Sequence, residues 1–250
     1  MSITIENLDR KRVAAQLRLI RGLERDGFGG DTTVKDGWNR DMMDYVNWLS
    51  GISIFLDYAR NIKENGRILD IGSGKNVGIT EIARSKMGEG LSFIGTNLSK
   101  VPGLVEDTSP ARIIRTSAEV LHGVEDESIS GILSLTSIAY SESPLMVATS
   151  MDRVLVPGGA IKAFFNPRNC ETDFSRQYNY KTHDEFSNAL RNMGYDVAVR
   201  DGVDEDLMVA IKPGGKPQPY NSWGDSHSAQ SLLNADSSLG DRLMIEAGYL

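Results

Sequence analysis

Residues 66–78 read Gly-Arg-Ile-Leu-Asp-Ile-Gly-Ser-Gly-Lys-Asn-Val-Gly, and this stretch decides the fold. An apolar run around Asp70 ends at two closely spaced glycines, and a helix-like segment follows. This order is typical of a buried parallel strand whose C-terminal end meets a nucleotide-like ligand. Gly72 and Gly74 can adopt positive φ, and they leave room for a ligand beside the main chain. The stretch therefore predicts a binding site at the end of the first strand.

From Arg67 onward, short apolar strands alternate with helices. The predicted strands are Arg67–Ile71, Leu91–Thr96, Ala111–Arg115, Ser130–Leu135, Gly159–Phe165, Tyr195–Arg200 and Asp206–Lys212. The clearest predicted helices are Gly78–Met87, Pro144–Val154 and His183–Met193. This alternation predicts an α/β fold, Rossmann-like and doubly wound, with a mostly parallel seven-stranded sheet. The last two strands are joined too closely for a parallel crossover, so they form an antiparallel hairpin at the edge.

The segments on either side of this region differ from it in pattern. Residues 4–24 and about 39–62 carry apolar residues at the spacing of amphipathic helices. Gly51 lies where the second of these helices bends or divides. We therefore predict a helical cap over residues 1–65, a ligand-binding domain over 66–213 and an irregular extension over 214–250. Trp38, beside a glycine-rich loop, is a candidate lid residue over the binding site.

Composition excludes several classes of function. The net charge of -7 and the pI of about 5.1 argue against a nonspecific grip on nucleic acid. One cysteine provides no disulfide framework, and the three histidines lack metal-ligand spacing. No signal-peptide pattern and no apolar run long enough for a bilayer is present. We expect a cytoplasmic protein that uses no metal, nucleic acid or membrane, and a homo-oligomer is compatible with the sequence.

Polar residues also follow the other predicted strands. The runs are Gly95-Thr96-Asn97-Leu98-Ser99, Thr116-Ser117-Ala118-Glu119 and Ser134-Leu135-Thr136, and the run Arg153-Val154-Leu155-Val156-Pro157-Gly158-Gly159 leads into the fifth strand. Together with residues 70–74, they make the sequence resemble the class I S-adenosylmethionine-dependent methyltransferases, with a type 11-like domain. The resemblance covers roughly Gly66 to Pro213.

The resemblance implies S-adenosylmethionine as the cofactor, and it implies which residues bind it. By the resemblance, the cofactor-binding residues are Asp70, Gly72, Ser73, Gly74, Asn97, Leu98, Ser117, Ala118 and Leu135. The glycine loop would contact the amino acid part, with Asp70 acting on the ammonium group. Asn97 would hold the ribose, and Leu98 would lie against adenine. Ser117 and Ala118 would meet the adenine edge, and Leu135 would lie with Ser134 beneath the sulfonium.

Three positions depart from the family's pattern. Asn76 replaces the third glycine of the loop, Asn97 replaces the ribose-binding acid, and Ser117 replaces the adenine-reading acid. A hydrogen bond to a charged group contributes about 1.5–3 kcal/mol, against about 0.5–1.5 kcal/mol for a neutral one, so binding should be weaker. A degenerate relative, acting as a cofactor sensor or protein-binding scaffold without catalysis, therefore stays open. A nicotinamide oxidoreductase is disfavoured because the third glycine of Gly-x-Gly-x-x-Gly is missing.

The acceptor side carries a weaker signal. After the fourth strand, Ser134–Tyr140 replaces the Asn/Asp-Pro-Pro-Tyr/Phe motif typical of relatives that methylate nucleic acid amino groups. With the acidic balance, this favours a small-molecule or protein acceptor, and we expect a small molecule. The catalytic residues are unknown from the sequence, and Tyr140 and His183 are the weak candidates. The loop 166–182 and Glu142 follow strand ends, where such folds place substrates.

Overall fold

The computed structural model describes residues 41–75, 77–97, 111–167, 180–201, 206–215 and 228–234. Several predictions lie outside these residues: the helix at 4–24, Trp38 as a lid, the roles of Asn76 and Leu98, and most of the loop 166–182. The strands and helices that position the binding site lie inside them.

A seven-stranded sheet forms the centre of the described protein. Its strands are β1 (Arg67–Asp70), β2 (Ser92–Asn97), β3 (Ala111–Arg115), β4 (Ile129–Leu135), β5 (Leu155–Phe165), β6 (Asp196–Arg200) and β7 (Asp206–Ile211). The spatial order is β3-β2-β1-β4-β5-β7-β6. Strands β1 to β5 run parallel, and β7 pairs antiparallel with both β5 and β6. The predicted mostly parallel sheet with an antiparallel edge pair is confirmed.

The helices of the described residues begin and end at recognisable signals. They are α1 (Met42–Leu49), α2 (Ile52–Ile62), α3 (Val77–Arg84), α4 (Pro144–Val154), α5 (His183–Asn192) and α6 (Ala229–Asn234). Asp41 and Asp44 form a capping box at the start of α1, and Ser143 caps α4. Gly51, at φ +68°, separates α1 from α2, so the second amphipathic helix is divided there. Among these helices, none has the length and apolar character required to cross a membrane.

Helices cover both faces of the sheet. On one face, α1 and α2 pack against β4 and β5, and α3 packs against β2 and β3, through apolar side chains that include Leu49 and Phe55. On the other face, α4 and α5 pack through residues such as Met151 and Phe186. Burial of both faces explains the nearly continuous apolar strands. The helices α1 and α2, which fall in the predicted cap, therefore belong to the same core as the sheet.

Two details differ from the sequence prediction. Residues 229–234, within the segment predicted to be irregular, form α6, which buries Leu232 and Leu233 against the β6–β7 edge. Strand β5 begins at Leu155, four residues earlier than predicted, and its pairing with β4 shifts register before Ala160. This irregularity requires glycine at position 158, because the residue has φ +78° and a Cβ there would lie 2.7 Å from the Gly215 Cα.

Candidate functional site

The glycine turn after β1 requires glycine for two separate reasons. Gly72 and Gly74 have φ of +71° and +60°, and residues other than glycine adopt this region only at a cost in free energy. A Cβ added at Gly72 would also lie 2.4 Å from the Cβ of Ser137, which is far inside van der Waals contact. The turn is therefore fixed both by its own conformation and by the segment after β4.

The end of β2 holds the turn in place. The Gly72 N–H donates to the Thr96 hydroxyl at 3.1 Å, and the Ser73 N–H donates to the Thr96 main-chain oxygen at 3.0 Å. The Thr96 hydroxyl in turn donates to the Asp70 main-chain oxygen at 3.3 Å. Thr96 of β2 is thus hydrogen-bonded to Asp70 of β1 and to two residues of the turn, Gly72 and Ser73.

Asp70 is fully buried beneath the turn and bound by helix α1. The Tyr45 hydroxyl donates to Asp70 Oδ2. At the start of α1, the Met42 N–H donates to Glu81 Oε2 of α3 at 2.8 Å. Helix α1 is therefore connected both to the turn and to the helix that follows it. Tyr45 could not be predicted as part of the site, because it lies in an apolar helical stripe that carries no sign of a contact 25 residues further along.

Asn97 lies at the end of β2, half-buried beside the turn. Its Nδ2 donates to the Gly74 main-chain oxygen at 2.6 Å, so the amide supports the turn and keeps Oδ1 as an acceptor. A carboxylate has no N–H and could not make this hydrogen bond. The asparagine that departs from the family's pattern therefore has a structural role of its own.

At the end of β3, Ser117 is buried and Ala118 is half-buried. The neighbouring Glu119 is buried as well, and its Oε1 accepts the Glu142 N–H at 2.8 Å. Burial raises the pKa of the Glu119 carboxyl, while the N–H groups of Glu119 and Glu142 and the Ser117 hydroxyl oppose that shift. Glu119 thus joins the loop after β3 to the segment before α4.

The end of β4 lies against the glycine turn. Ser134 and Leu135 are buried, and Thr136 has φ +64°, which is unusual for a β-branched residue. The Ser137 hydroxyl donates to the Ile71 main-chain oxygen and lies 3.0 Å from the Ser134 hydroxyl. Strained backbone of this kind is concentrated at functional sites. Ser137 could not be identified from the sequence either, because it lies beside Gly72 only in the folded protein.

The two weak catalytic candidates lie in different surroundings. Tyr140 contacts Tyr180 edge-on, with ring centroids 5.1 Å apart. The Tyr180 hydroxyl accepts the Asn166 N–H at 2.8 Å. His183, the first residue of α5, has its ring against Phe165 and its Nδ1 3.1 Å from Asp206.

Three kinds of chemical group lie together at the ends of β1 and β2, at the carboxyl edge of the sheet. The set comprises a buried carboxylate, a glycine turn leading to the N-terminus of α3, and the acceptor oxygen of the Asn97 amide. Such a set suits a ligand with an ammonium group, a carboxylate and hydroxyls. In parallel α/β sheets, ligands bind at this edge where the strand order reverses, here between β1 and β4.

Solved structures of methyltransferases have the same architecture at low sequence identity. One is a chain of the complex between the Haloferax volcanii Trm112 methyltransferase activator and a methyltransferase; the TM-score is 0.50 at 18% identity, over 70% of this chain and 99% of the other. Another is Haemonchus contortus phosphoethanolamine N-methyltransferase 2, with a TM-score of 0.54 at 16% identity, over 77% of this chain and 59% of the other. The chain has the class I methyltransferase fold.

The methyltransferase fold is shared with at least one protein described by a different reaction. The [4+2]-cyclase SpnF matches with a TM-score of 0.50 at 15% identity, over 65% of this chain and 81% of the other. No family model matches the sequence, and no curated protein matches it. The fold alone therefore does not determine the reaction.

Proposed function

We propose that this protein is an S-adenosylmethionine-dependent methyltransferase that acts on a small molecule. The observation that carries the proposal is the glycine turn held over buried Asp70, with the ends of β2 and β4 bound directly to it. This arrangement resembles the cofactor loop of the family and lies at the edge where ligands of such sheets bind.

The groups present fit this cofactor by their chemistry. The turn and the first N–H groups of α3 would meet the carboxylate of its amino acid part. Asp70 would favour the ammonium group, and Asn97 Oδ1 would accept a ribose hydroxyl. Ala118 and Leu135 would provide apolar contact, and Ser117 would meet the adenine edge. When bound, the cofactor supplies a methyl group that its sulfonium activates for in-line displacement.

The protein's own contribution to such a transfer is alignment and exclusion of water. The buried ends of β3 and β4, with the fixed loop of Ser137, provide a rigid wall for this purpose. A small acceptor is supported by the absence of the nucleic acid motif after β4. The Haemonchus contortus neighbour is likewise described with a small molecule, phosphomonomethylethanolamine, together with S-adenosylhomocysteine. Tyr140 and Tyr180 lie beside this wall as candidates for contact with the acceptor.

The test is transfer of a methyl label. S-adenosylmethionine carrying a tritiated methyl group is incubated with the protein and with metabolite extract filtered to remove macromolecules. The proposal predicts label in an extracted small molecule, and no transfer by the Gly72→Ala variant. Label that enters only added protein or nucleic acid would contradict the proposed acceptor class.

A second candidate is a cofactor-binding protein that does not methylate. The substitutions Asn97 and Ser117 favour it, since both replace acids expected at the cofactor, and Asn97 is engaged with the turn. The SpnF cyclase is a precedent for this fold in a protein named for another reaction. Binding of S-adenosylhomocysteine without any transfer of label would favour this candidate over the methyltransferase.

A further inference from the structure

His183 is surrounded by three carboxylates at the β6–β7 side of the sheet's carboxyl edge. Asp206 Oδ2, at the start of β7, lies 3.1 Å from His183 Nδ1. Asp201 Oδ1, just after β6, lies 3.0 Å from Nε2, and Asp184 Oδ1 lies 3.5 Å from the same nitrogen. Both ring nitrogens therefore face carboxylate oxygens.

A neutral imidazole cannot satisfy this arrangement. It carries one N–H, which can be donated to one carboxylate, and its other nitrogen presents a lone pair. The partly buried Asp206, whose side chain is 14% exposed, is the better placed acceptor for an Nδ1–H. The lone pair of Nε2 then points at Asp201 and Asp184, and either a second proton on the ring or a bound cation removes the repulsion.

The charge balance also favours a cation. Three carboxylates surround one imidazole, and within the described part of the chain neither Asp184 nor Asp201 pairs with a lysine or arginine. Both of these carboxylates are about three-quarters exposed, at 75% and 77%, so an ion and its water ligands have access to them. The His183 ring is only 13% exposed and is held against Phe165.

We propose that His183, Asp184 and Asp201 bind a divalent transition-metal ion, with Zn²⁺ as the best match. Two atoms bound to a tetrahedral zinc at about 2.0–2.2 Å lie about 3.3–3.6 Å from each other, close to the separations of 3.0 and 3.5 Å at Nε2. Asp206 orients the imidazole through Nδ1, as the outer carboxylate of a carboxylate–histidine–metal triad does. The candidate atoms of His183, Asp201 and Asp206 all lie within 4.8 Å of one another.

This site is distinct from the proposed methyl transfer, which uses none of these side chains. The ion would join the start of α5 to the ends of β6 and β7, because its ligands and Asp206 come from those three places. No metal-ligand spacing is visible in the sequence here, since Asp201 and His183 become neighbours only after the hairpin folds. Because the site offers a nitrogen ligand, we expect it to bind Zn²⁺ more tightly than Mn²⁺ and to bind Mg²⁺ most weakly.

Calorimetric titration of the chelator-treated full chain with ZnCl₂ tests the proposal. We expect one Zn²⁺ per chain and at least tenfold weaker binding in His183→Gln and in Asp201→Asn. Asp206→Asn should weaken binding about 10- to 100-fold, as other outer-carboxylate losses do. The exposed Asp126, which pairs with Arg153, provides the matched control Asp126→Asn, and its binding should be unchanged.

Two further readouts separate a site from surface charge. Zinc binding should weaken in acid, because protons compete for the imidazole, and bound zinc should raise the melting temperature of the wild type but not of Asp201→Asn. Asp201 is exposed, so its variant tests the proposal even where His183→Gln fails to fold. Absence of saturable binding, or binding that Asp201→Asn and Asp126→Asn affect equally, would overturn the proposal.

Discussion

The glycine turn and the His183 cluster lie at the same edge of one sheet, yet they are built in different ways. The turn is held mainly by main-chain groups and short hydroxyl side chains, with Thr96 and Ser137 bound to residues 70–72. The cluster consists of charged side chains from α5, β7 and the end of β6. Main-chain geometry therefore defines one end of this edge, and charged side chains define the other.

Gly72→Ala tests the rigid end and should have the largest effect. The new Cβ would enter a positive-φ residue, which costs about 1–2 kcal/mol, and overlap with Ser137 costs about 1–3 kcal/mol more. We expect a loss of about 2–5 kcal/mol in the free energy of unfolding by urea, and loss of S-adenosylhomocysteine binding.

Gly123→Ala is the matched control for that variant. Gly123 also has positive φ, at +82°, but its added Cβ would lie 3.5 Å from Ile114, an ordinary contact. Gly123→Ala should lose only the part of the free energy of unfolding that comes from positive φ. Adding Ser137→Gly to Gly72→Ala should relieve the overlap and restore part of the lost stability. Equal losses in Gly72→Ala and Gly123→Ala would contradict the tight contact between the turn and Ser137.

Tyr45→Phe tests whether α1 supports the turn through Asp70. Removing the hydroxyl leaves a buried carboxylate with one donor fewer, which costs about 1–3 kcal/mol. We expect that loss in urea unfolding, together with weaker S-adenosylhomocysteine binding. The control Tyr195→Phe removes a hydroxyl that donates to the Asp152 carboxylate at 3.0 Å, and it should lose stability while leaving S-adenosylhomocysteine binding unchanged. A wild-type affinity in Tyr45→Phe would show that α1 does not act on the turn.

Asn97→Asp distinguishes support of the turn from contact with a ribose. The carboxylate would lose the hydrogen bond to the Gly74 oxygen and face that oxygen instead. A lost neutral hydrogen bond of about 0.5–1.5 kcal/mol predicts roughly two- to twelvefold weaker S-adenosylhomocysteine binding. Tighter binding in this variant would mean that the ribose, and not the turn, determines the role of position 97.

Glu119→Gln should produce the smallest change, and one that depends on pH. Burial raises the pKa of Glu119 in the folded protein, so folding favours the protonated acid. Its stabilising contribution is therefore present in acid and is lost as the pH rises through the folded pKa. In urea unfolding at about pH 4, Glu119→Gln should have the same free energy of unfolding as the wild type. At about pH 7.5 it should be the more stable of the two. A variant less stable than the wild type at the higher pH would contradict this sign.

Most of the sheet could be predicted from the sequence because its signals are local. The apolar runs that became β1, β3 and β7, and the turn at Gly72 and Gly74, are each visible within a few residues. Contacts between distant segments could not be predicted in this way. The bond from Tyr45 to Asp70 and the contact of Ser137 with Gly72 depend on strand order, which no local pattern records.

The same distinction explains α6 and Asn97. The segment around Ala229 is rich in residues typical of loops, and its helix is stabilised by burial of Leu232 and Leu233 against the edge strands. At Asn97, the sequence indicates a departure from a family pattern, whereas the structure gives the amide a partner at Gly74. In both cases tertiary contacts decide what local composition leaves open.

Calorimetric titration with S-adenosylhomocysteine tests the central claim most directly, because binding requires the turn but no knowledge of the acceptor. The proposed function predicts a single saturable site with micromolar or tighter affinity, about -8 kcal/mol or better, in the wild type. It also predicts loss of that binding in Gly72→Ala and its retention in Gly123→Ala. A folded wild-type protein that shows no binding up to millimolar ligand would contradict the account.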